Sequence, residues 1–237
     1  MDPAGALLTL LRTLDAGICA QLPGHTLYPG GIPLPLCARN TGIYSGAALT
    51  FVILWRSGRI RAMLPPRPCL TALLLAVIAA MGLDGANSVA FDLGFAHLYP
   101  PANWLRLATG LGAGVALVLL LSPVIARAAY GGADLRAPIT KVSDLLPYGL
   151  ASVVAFAVIW AAPAWSLYPI AFVSNAGLFG VLIGVNLIAI LAGARRDIGN
   201  SGSARLGLRL VAAGASCFVE LLALGGLKAL SFGQPLL

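Results

Sequence analysis

Two cysteines near the start of the chain have the residue type needed for thiol chemistry. Cys19 and Cys37 enclose a segment rich in proline and glycine, "CAQLPGHTLYPGGIPLPLC". A disulfide between them would close a short loop and stabilise the fold by about 3 kcal/mol if chain entropy governs the effect. The alternatives are two separate packed thiols, or a redox or metal-binding pair that includes His25 or His97. The residues alone leave these alternatives open, and Cys69 and Cys217, within apolar runs, are predicted to be packing residues.

A second set of side chains has the chemistry of a polar binding site within apolar sequence. Ionisable groups are costly inside a bilayer and are therefore candidates for function. Glu220 lies about 11 residues, or roughly 16 Å of helix, beyond Arg209, which places it near the middle of a membrane. The candidate ligand-binding side chains are Asp84, Asn87, Arg106, Asn175, Asn186 and Glu220.

These six side chains are predicted to line one polar cavity that opens to the outside. Asn175 and Asn186 are eleven residues apart and so share a helix face. The alternative is a structural role, in which Asp84 and Arg106 form an internal ion pair and Glu220 hydrogen-bonds to a neighbouring helix.

Composition places the chain in the membrane class. Of 237 residues, 59% are hydrophobic and 10% are charged, and the mean hydropathy is +0.91. A soluble domain carries about 25% charged residues. The net charge of +7 does not indicate nucleic-acid binding, because the basic residues lie in short clusters between apolar runs. The lipid bilayer is therefore the predicted surrounding, and nucleic acid is excluded as a partner.

The apolar runs predict an all-α bundle of six transmembrane helices in one domain, residues 1–237. An N-terminal amphipathic helix and an external Pro/Gly-rich cap, residues 1–35, precede the bundle, residues 36–230. In that first helix Leu7, Leu11, Leu14 and Ile18 share one face, with Arg12 and Asp15 on another. The six predicted spans are residues 36–55, 69–87, 107–126, 145–162, 170–193 and 210–227.

The basic residues predict the orientation. Alternate connections carry eleven of the fifteen lysines and arginines, namely Arg56, Arg59, Arg61, Arg67, Arg127, Arg136, Lys141, Arg195, Arg196, Arg205 and Arg209. By the positive-inside rule these connections face the cytoplasm. Both termini, Cys19 and Cys37 are then outside the cytoplasmic (inner) membrane of a prokaryote, where disulfides persist. Gly110-x-x-x-Gly114 and Gly180-x-x-x-Gly184 predict close packing of helices within the chain.

About residues 15–115 resemble a family of small prokaryotic membrane proteins known as domain of unknown function 2085. The run "LPLCARNTGIY" and the later "NWLRLATG" carry the resemblance. The matching positions include Cys19, Gln21, Pro23, Cys37, Arg39, Thr41, Gly42, Tyr44, Asp84, Gly85, Asn103 and Arg106. The resemblance implies a membrane location and no particular activity.

The chain departs from the family pattern at two positions. Ala20 stands where the family has histidine, and Asn40 stands where it has a third cysteine. Structural zinc takes four nitrogen or sulfur ligands, so no metal site is predicted, and the cofactor stays unknown.

Three functions follow as hypotheses. The first is binding or transport of a small solute or amphiphile through the polar cavity. The second is a thiol-dependent or metal-dependent redox protein or enzyme, and the third is an accessory subunit that packs against other membrane proteins. The sequence shows no hydrolase, phosphate-binding or dinucleotide motif, which favours a protein that is not an enzyme without deciding the question.

Overall fold

The computed structural model describes residues 3–130, 134–193 and 203–232. Arg195, Arg196 and both chain ends, which entered the orientation argument, lie outside these residues. The described chain contains seven α-helices and, apart from an isolated bridge between Thr26 and Cys37, no β-structure. The helices are α1 (Pro3–Asp15), α2 (Ala38–Arg56), α3 (Pro68–Asp92), α4 (Asn103–Tyr130), α5 (Leu146–Ala161), α6 (Leu167–Gly193) and α7 (Ser203–Phe232). The prediction of an all-α membrane protein is confirmed.

Five of the described helices, α3 to α7, are long and apolar enough to cross a membrane. Their most apolar stretches have mean hydropathies of 1.8 to 2.1. The predicted first span is also a helix, α2, but it is not one of the five, because its first half contains Arg39, Asn40, Thr41 and Ser45. The protein is therefore a multi-pass membrane protein in which one helix is less apolar than the rest.

Helix α2 lies at the centre of the bundle and packs mainly on α4 and α6. Glycines allow the backbones to touch. On α4, the Cα atoms of Gly110 and Gly114 face the backbone of α2, and on α6 Gly177 faces the carbonyl of Tyr44. The predicted role of Gly110 and Gly114 in packing within the chain is confirmed, and a polar helix is tolerated because its neighbours shield it from lipid.

Helix α1 packs against α7 and α6 rather than crossing the membrane. Of the predicted amphipathic stripe, Leu11 and Leu14 are buried and Leu7 and Ile18 are partly buried, and Leu8, which was not predicted, is buried as well. Asp15 is an exception, because it is fully buried instead of lying on the polar face with Arg12.

Residues 16–37, here named the cap, connect α1 to α2 through two short 3-10 turns, Pro23–His25 and Pro29–Gly31. Gln21 holds the cap together, since its side-chain amide donates to the carbonyls of Arg12 and Pro35 at 2.9 and 3.0 Å. The cap therefore brings its two ends, and with them Cys19 and Cys37, to the same place.

Candidate functional site

The cap places the two cysteines side by side. The backbone N–H of Cys37 donates to Sγ of Cys19 at 3.2 Å, and the N–H of Gln21 donates to the same sulfur at 3.4 Å. The two side chains also hydrogen-bond to each other. The sulfurs are not bonded in this structure, and the two thiols are close enough to alter each other's ionisation.

The two thiols have different surroundings. Cys19 is 4% exposed, whereas Cys37 is only partly buried and immediately precedes α2. The hydrogen bond from Cys19 and the N–H groups of Asn40 and Arg39 stabilise a thiolate at Cys37 and lower its pKa to about 6. The same hydrogen bond and burial raise the pKa of Cys19. The thiolate is the nucleophilic form of cysteine, and helix N-termini favour it. Cys37 is therefore the more nucleophilic of the two sulfurs, and Cys19 is the less nucleophilic one.

Asp15 lies beside the thiol pair, although the sequence pattern did not predict it as a functional residue. Its backbone carbonyl accepts the N–H of Cys19 at 2.9 Å. Its carboxylate Oδ2 accepts from Nδ2 of Asn175 on α6 at 3.3 Å, and Oδ1 has no partner among the described residues. Burial raises the pKa of Asp15 to about 7, against the lowering effect of Asn175. The only sequence signal was a carboxylate four residues before the first cysteine.

A buried ion network joins α2 to the end of α3. Nη2 of Arg39 donates to Oδ2 of Asp84 at 2.6 Å and to Oγ of Ser88 at 2.9 Å. The hydroxyl of Tyr99 donates to Oδ1 of Asp84 at 2.9 Å. The prediction that Asp84 pairs with Arg106 is therefore wrong, because the guanidinium of Arg39 occupies that position.

Arg106 belongs to a different network, which ties the cap to α4. It donates to Oδ1 of Asn103 at 2.8 Å and contacts Nε2 of His25 at 3.0 Å. His25 in turn lies 3.2 Å from Oδ1 of Asp92, at the end of α3. Nδ2 of Asn103 donates to the carbonyl of Gly24 at 3.1 Å. His25 thus serves these contacts and not the cysteines.

The six predicted ligand-binding side chains lie in separate places. Asn87 accepts from the backbone of Leu98 near Asp84, at 2.7 Å, and Asn175 bonds to Asp15. Asn186, toward the other end of α6, donates to Oε2 of Glu220 at 3.1 Å. The structure therefore brings Asp84 and Asn87 together, but it does not place Asn186 and Glu220 with them.

The remaining positions of the family pattern support the cap and α2, the helix that follows it. Pro23 begins a 3-10 turn, and the hydroxyl of Thr41 donates to the carbonyl of Leu36 at 3.2 Å. Gly42 lies against the backbone of α4, and Gly85 lies nearest to the guanidinium of Arg39. Tyr44 lies on α2 within electrostatic range of Asp15 and both cysteines.

Most of this geometry lies in a part of the chain that matches a known protein family. The model of DUF2085, described as a predicted membrane protein, matches residues 19–120. The predicted resemblance is confirmed. No curated protein and no solved structure matches the chain. The matched segment contains the cap from Cys19 onward, both cysteines of the pair and the two ion networks, whereas α5 to α7 and Asp15 lie outside it.

No group of three or more His, Cys, Asp or Glu side chains in the described part of the chain could hold a metal ion. This follows from Ala20 and Asn40, which supply no ligand beside Cys19 and Cys37. The other two cysteines lie elsewhere: Cys217 is buried in an apolar cluster, as predicted, while Cys69 is exposed at the start of α3 instead of packed. Within residues 19–120 the structure therefore places two thiols side by side, with no third described His, Cys, Asp or Glu grouped with them.

A groove of about 450 Å³ lies between α2, α5 and α6. It is lined almost entirely by aliphatic side chains, among them Leu49, Val154 and Ile170. The single hydroxyl in the lining is that of Ser45, which is 2% exposed and has no hydrogen-bond partner among the described residues. The groove fits a hydrocarbon chain better than a polar solute.

Proposed function

We propose that this protein is a membrane thiol–disulfide protein whose Cys19 and Cys37 cycle between a dithiol and a disulfide. The observation that supports it is the contact between a buried and a partly exposed cysteine, the latter at the N-terminus of α2. A purely structural cross-link would need no such difference between its two sulfurs. The predicted metal-dependent alternative has less support, because too few ligands lie near the pair.

The proposed reaction consumes the disulfide of a partner, R–S–S–R. The thiolate of Cys37 attacks one sulfur, the partner's S–S bond breaks, and one R–S⁻ leaves with the electron pair. Cys19 then loses its thiol proton to a base and attacks the sulfur of Cys37, which releases the second R–S⁻ with its electron pair and forms the Cys19–Cys37 bond. Two cysteine thiols are oxidised and one partner disulfide is reduced to two thiols, so atoms and electrons balance.

The location that fits this chemistry is the outer face of a prokaryotic cytoplasmic membrane. Arg56, Arg67 and Arg127 lie at the end of the bundle opposite to the cap, since each ends or begins a helix there. The positive-inside rule assigns that end to the cytoplasm and the cap to the oxidising side.

The thiol proposal predicts different products for the two single-cysteine variants. Purified protein that carries Cys69→Ser, to remove the exposed third thiol, is treated with oxidised glutathione and analysed by mass spectrometry. The parent should form the Cys19–Cys37 disulfide and retain no glutathione. Cys19→Ser should retain one glutathione on Cys37, because the second attack is lost, whereas Cys37→Ser should react at least about tenfold more slowly, since the nucleophile is the lowered-pKa thiol.

Two results would contradict the thiol proposal. One is a parent protein that does not react with oxidised glutathione. The other is a Cys19–Cys37 bond that dithiothreitol does not reduce in the folded protein, which would assign the pair a structural role. Equal glutathione labelling of both single-cysteine variants would remove the assignment of Cys37 as the attacking residue.

A second candidate function is binding of an amphiphile, and the groove beside Ser45 favours it. Most of its lining lies on α5 and α6, which are apolar enough to cross a membrane, so a ligand would reach it from the bilayer. The occupant that fits is one hydrocarbon chain of an amphiphile with an acceptor for the Ser45 hydroxyl, because that hydroxyl lacks a partner within the described protein.

Filling the groove tests this second candidate. Ala155→Phe adds a ring to the lining on α5, whereas Val153→Phe adds one to a neighbouring residue that points away and is 67% exposed. In nanodiscs, Ala155→Phe should lower binding of a fluorescent fatty acid by about tenfold, equivalent to about 1.4 kcal/mol, and Val153→Phe should not. Equal binding by the two variants would contradict a ligand site in the groove.

A further inference from the structure

We infer that Asp15 accepts the thiol proton of Cys19 when Cys19 attacks the sulfur of Cys37. This inference rests on the proposed thiol–disulfide function and adds a general base to it. The sulfur of Cys19 needs to lose its proton at that step, because it is the thiolate that attacks a disulfide. A buried sulfur cannot readily release its proton to water, so a neighbouring acceptor has to receive it.

Asp15 has the position of such an acceptor. It is the last residue of α1 and is 0% exposed. Its carbonyl binds the N–H of Cys19 at 2.9 Å, which holds the cysteine one helical turn from the carboxylate. Carboxylate and thiol are within electrostatic range of each other.

The carboxylate has an open site for a proton. Of its two oxygens, Oδ2 accepts from Asn175 at 3.3 Å, whereas Oδ1 is buried without a hydrogen-bond partner in the described part of the chain. A buried carboxylate oxygen without a hydrogen bond disfavours the charged form of the group. It thereby favours the protonated carboxylic acid, since protonation removes the charge. Asp15 can therefore hold a proton in the folded protein.

The groups around Asp15 determine its pKa, and therefore the pH at which it can accept or release a proton. Facing it are Cys19 from the cap, Tyr44 from α2 and Asn175 from α6. From α7, Lys228 donates to the carbonyls of Ala16 and Cys19 at 3.3 and 2.9 Å. Burial is the largest influence and raises the pKa of Asp15 to about 7, and a general base is most effective when its pKa is close to the working pH.

The step balances without a further reactant. Before it, Cys37 is joined to R–S, Cys19 carries its proton and Asp15 is ionised. The Cys19–Cys37 bond forms, the bond between Cys37 and R–S breaks, R–S⁻ leaves with the electron pair, and the proton of Cys19 moves to Asp15. One negative charge is present before and after the step.

The test measures the two steps separately. The parent with Cys69→Ser, and the same protein with Asp15→Asn, are mixed with oxidised glutathione, quenched with acid at intervals and analysed by mass spectrometry. The attachment of glutathione to Cys37 should be unchanged. Closure to the Cys19–Cys37 disulfide should be slowed by about 100-fold at pH 7, the low end of general-base contributions. Asp92→Asn, which removes the carboxylate beside His25, is the matched control and should close at the parent rate.

The pH profile identifies a base and not merely a packing residue. Below pH 7 Asp15 is protonated and cannot accept, so closure in the parent should accelerate as the pH rises through about 7. Asp15→Asn should lose this rise. Asn175→Ala removes the hydrogen bond that lowers the pKa of Asp15, so it should retain the rise and move it to higher pH.

The outcomes separate the two proposals. Parent-like closure and pH profile in Asp15→Asn would overturn the role of Asp15 while leaving the thiol function intact. Failure of the parent to react would instead overturn the thiol function. If Asp15→Asn is unstable, Asn175→Ala decides, since an unshifted pH profile in that variant contradicts the inference.

Discussion

Arg39→Ala is expected to lower the free energy of unfolding by about 3–5 kcal/mol, the range seen when one partner of a buried ion pair is removed. Asp84 is 2% exposed, and the Arg39 guanidinium is its partner at 2.6 Å. Without it, the hydroxyl of Tyr99 is the one side-chain donor that the carboxylate keeps among the described residues. The loss would be measured by SDS-induced unfolding in mixed micelles.

Two further variants test the cause of that loss. In Arg39→Ala with Asp84→Asn no uncompensated charge is left, so the double variant should be more stable than Arg39→Ala alone. Arg136→Ala removes an ion pair of similar length, 2.8 Å to Asp134, but on an exposed side chain, and it should have no measurable effect. A parent-like Arg39→Ala would show that this pair does not hold α2 to α3.

Substitution of the glycines that face α2 is expected to have the second large effect. The methyl group of Gly114→Ala would overlap the carbonyl oxygen of Ile43, and that of Gly177→Ala would overlap the carbonyl oxygen of Tyr44. Because backbone atoms cannot move aside as a side chain can, α4 or α6 would have to shift away from α2. Each substitution should cost about 1–3 kcal/mol or more, and the double variant should fold poorly in a fluorescence size-exclusion assay.

Two other glycines serve as the control, because alanine at these positions is not expected to lower the free energy of unfolding. A Cβ atom at Gly149 on α5 or Gly214 on α7 would meet no atom within 4 Å. At these sites alanine should be neutral or stabilising by about 0.5–1 kcal/mol, because it is the better helix former. Destabilisation of equal size at Gly114 and Gly149 would contradict the close crossing of α2 and α4.

Positions of the helices were predictable because they depend on local sequence. Each apolar run between charges became a helix, and a break at Pro163 separates α5 from α6, whereas Pro169 lies in the first turn of α6. The partner of Asp84 was not predictable in the same way. Arg39 and Arg106 both begin helices at the cap end, and the rotation of α2 and α4 about their axes decides which of them reaches the carboxylate.

The candidate site was predictable only in part. Cys19 and Cys37 were identified from residue type and spacing, and proline-rich sequence between them indicated that they could meet. Asp15 was placed on the polar face of α1 because helical periodicity does not show where a helix ends. The carboxylate is buried because α1 packs against α6 and α7, and its partner there, Asn175, is 160 residues away in the sequence.

The central position of α2 has a consequence for how the protein is made. This helix leaves the ribosome before α4 and α6, and about 120 residues separate its end from Gly177, a delay of roughly 6–24 s at bacterial rates of synthesis. During that time Arg39, Thr41 and Ser45 have none of the helices that later enclose them, and lipid is a poor substitute. The polar face of α2 therefore reaches its final protein surroundings only after α4 and α6 have both been synthesised.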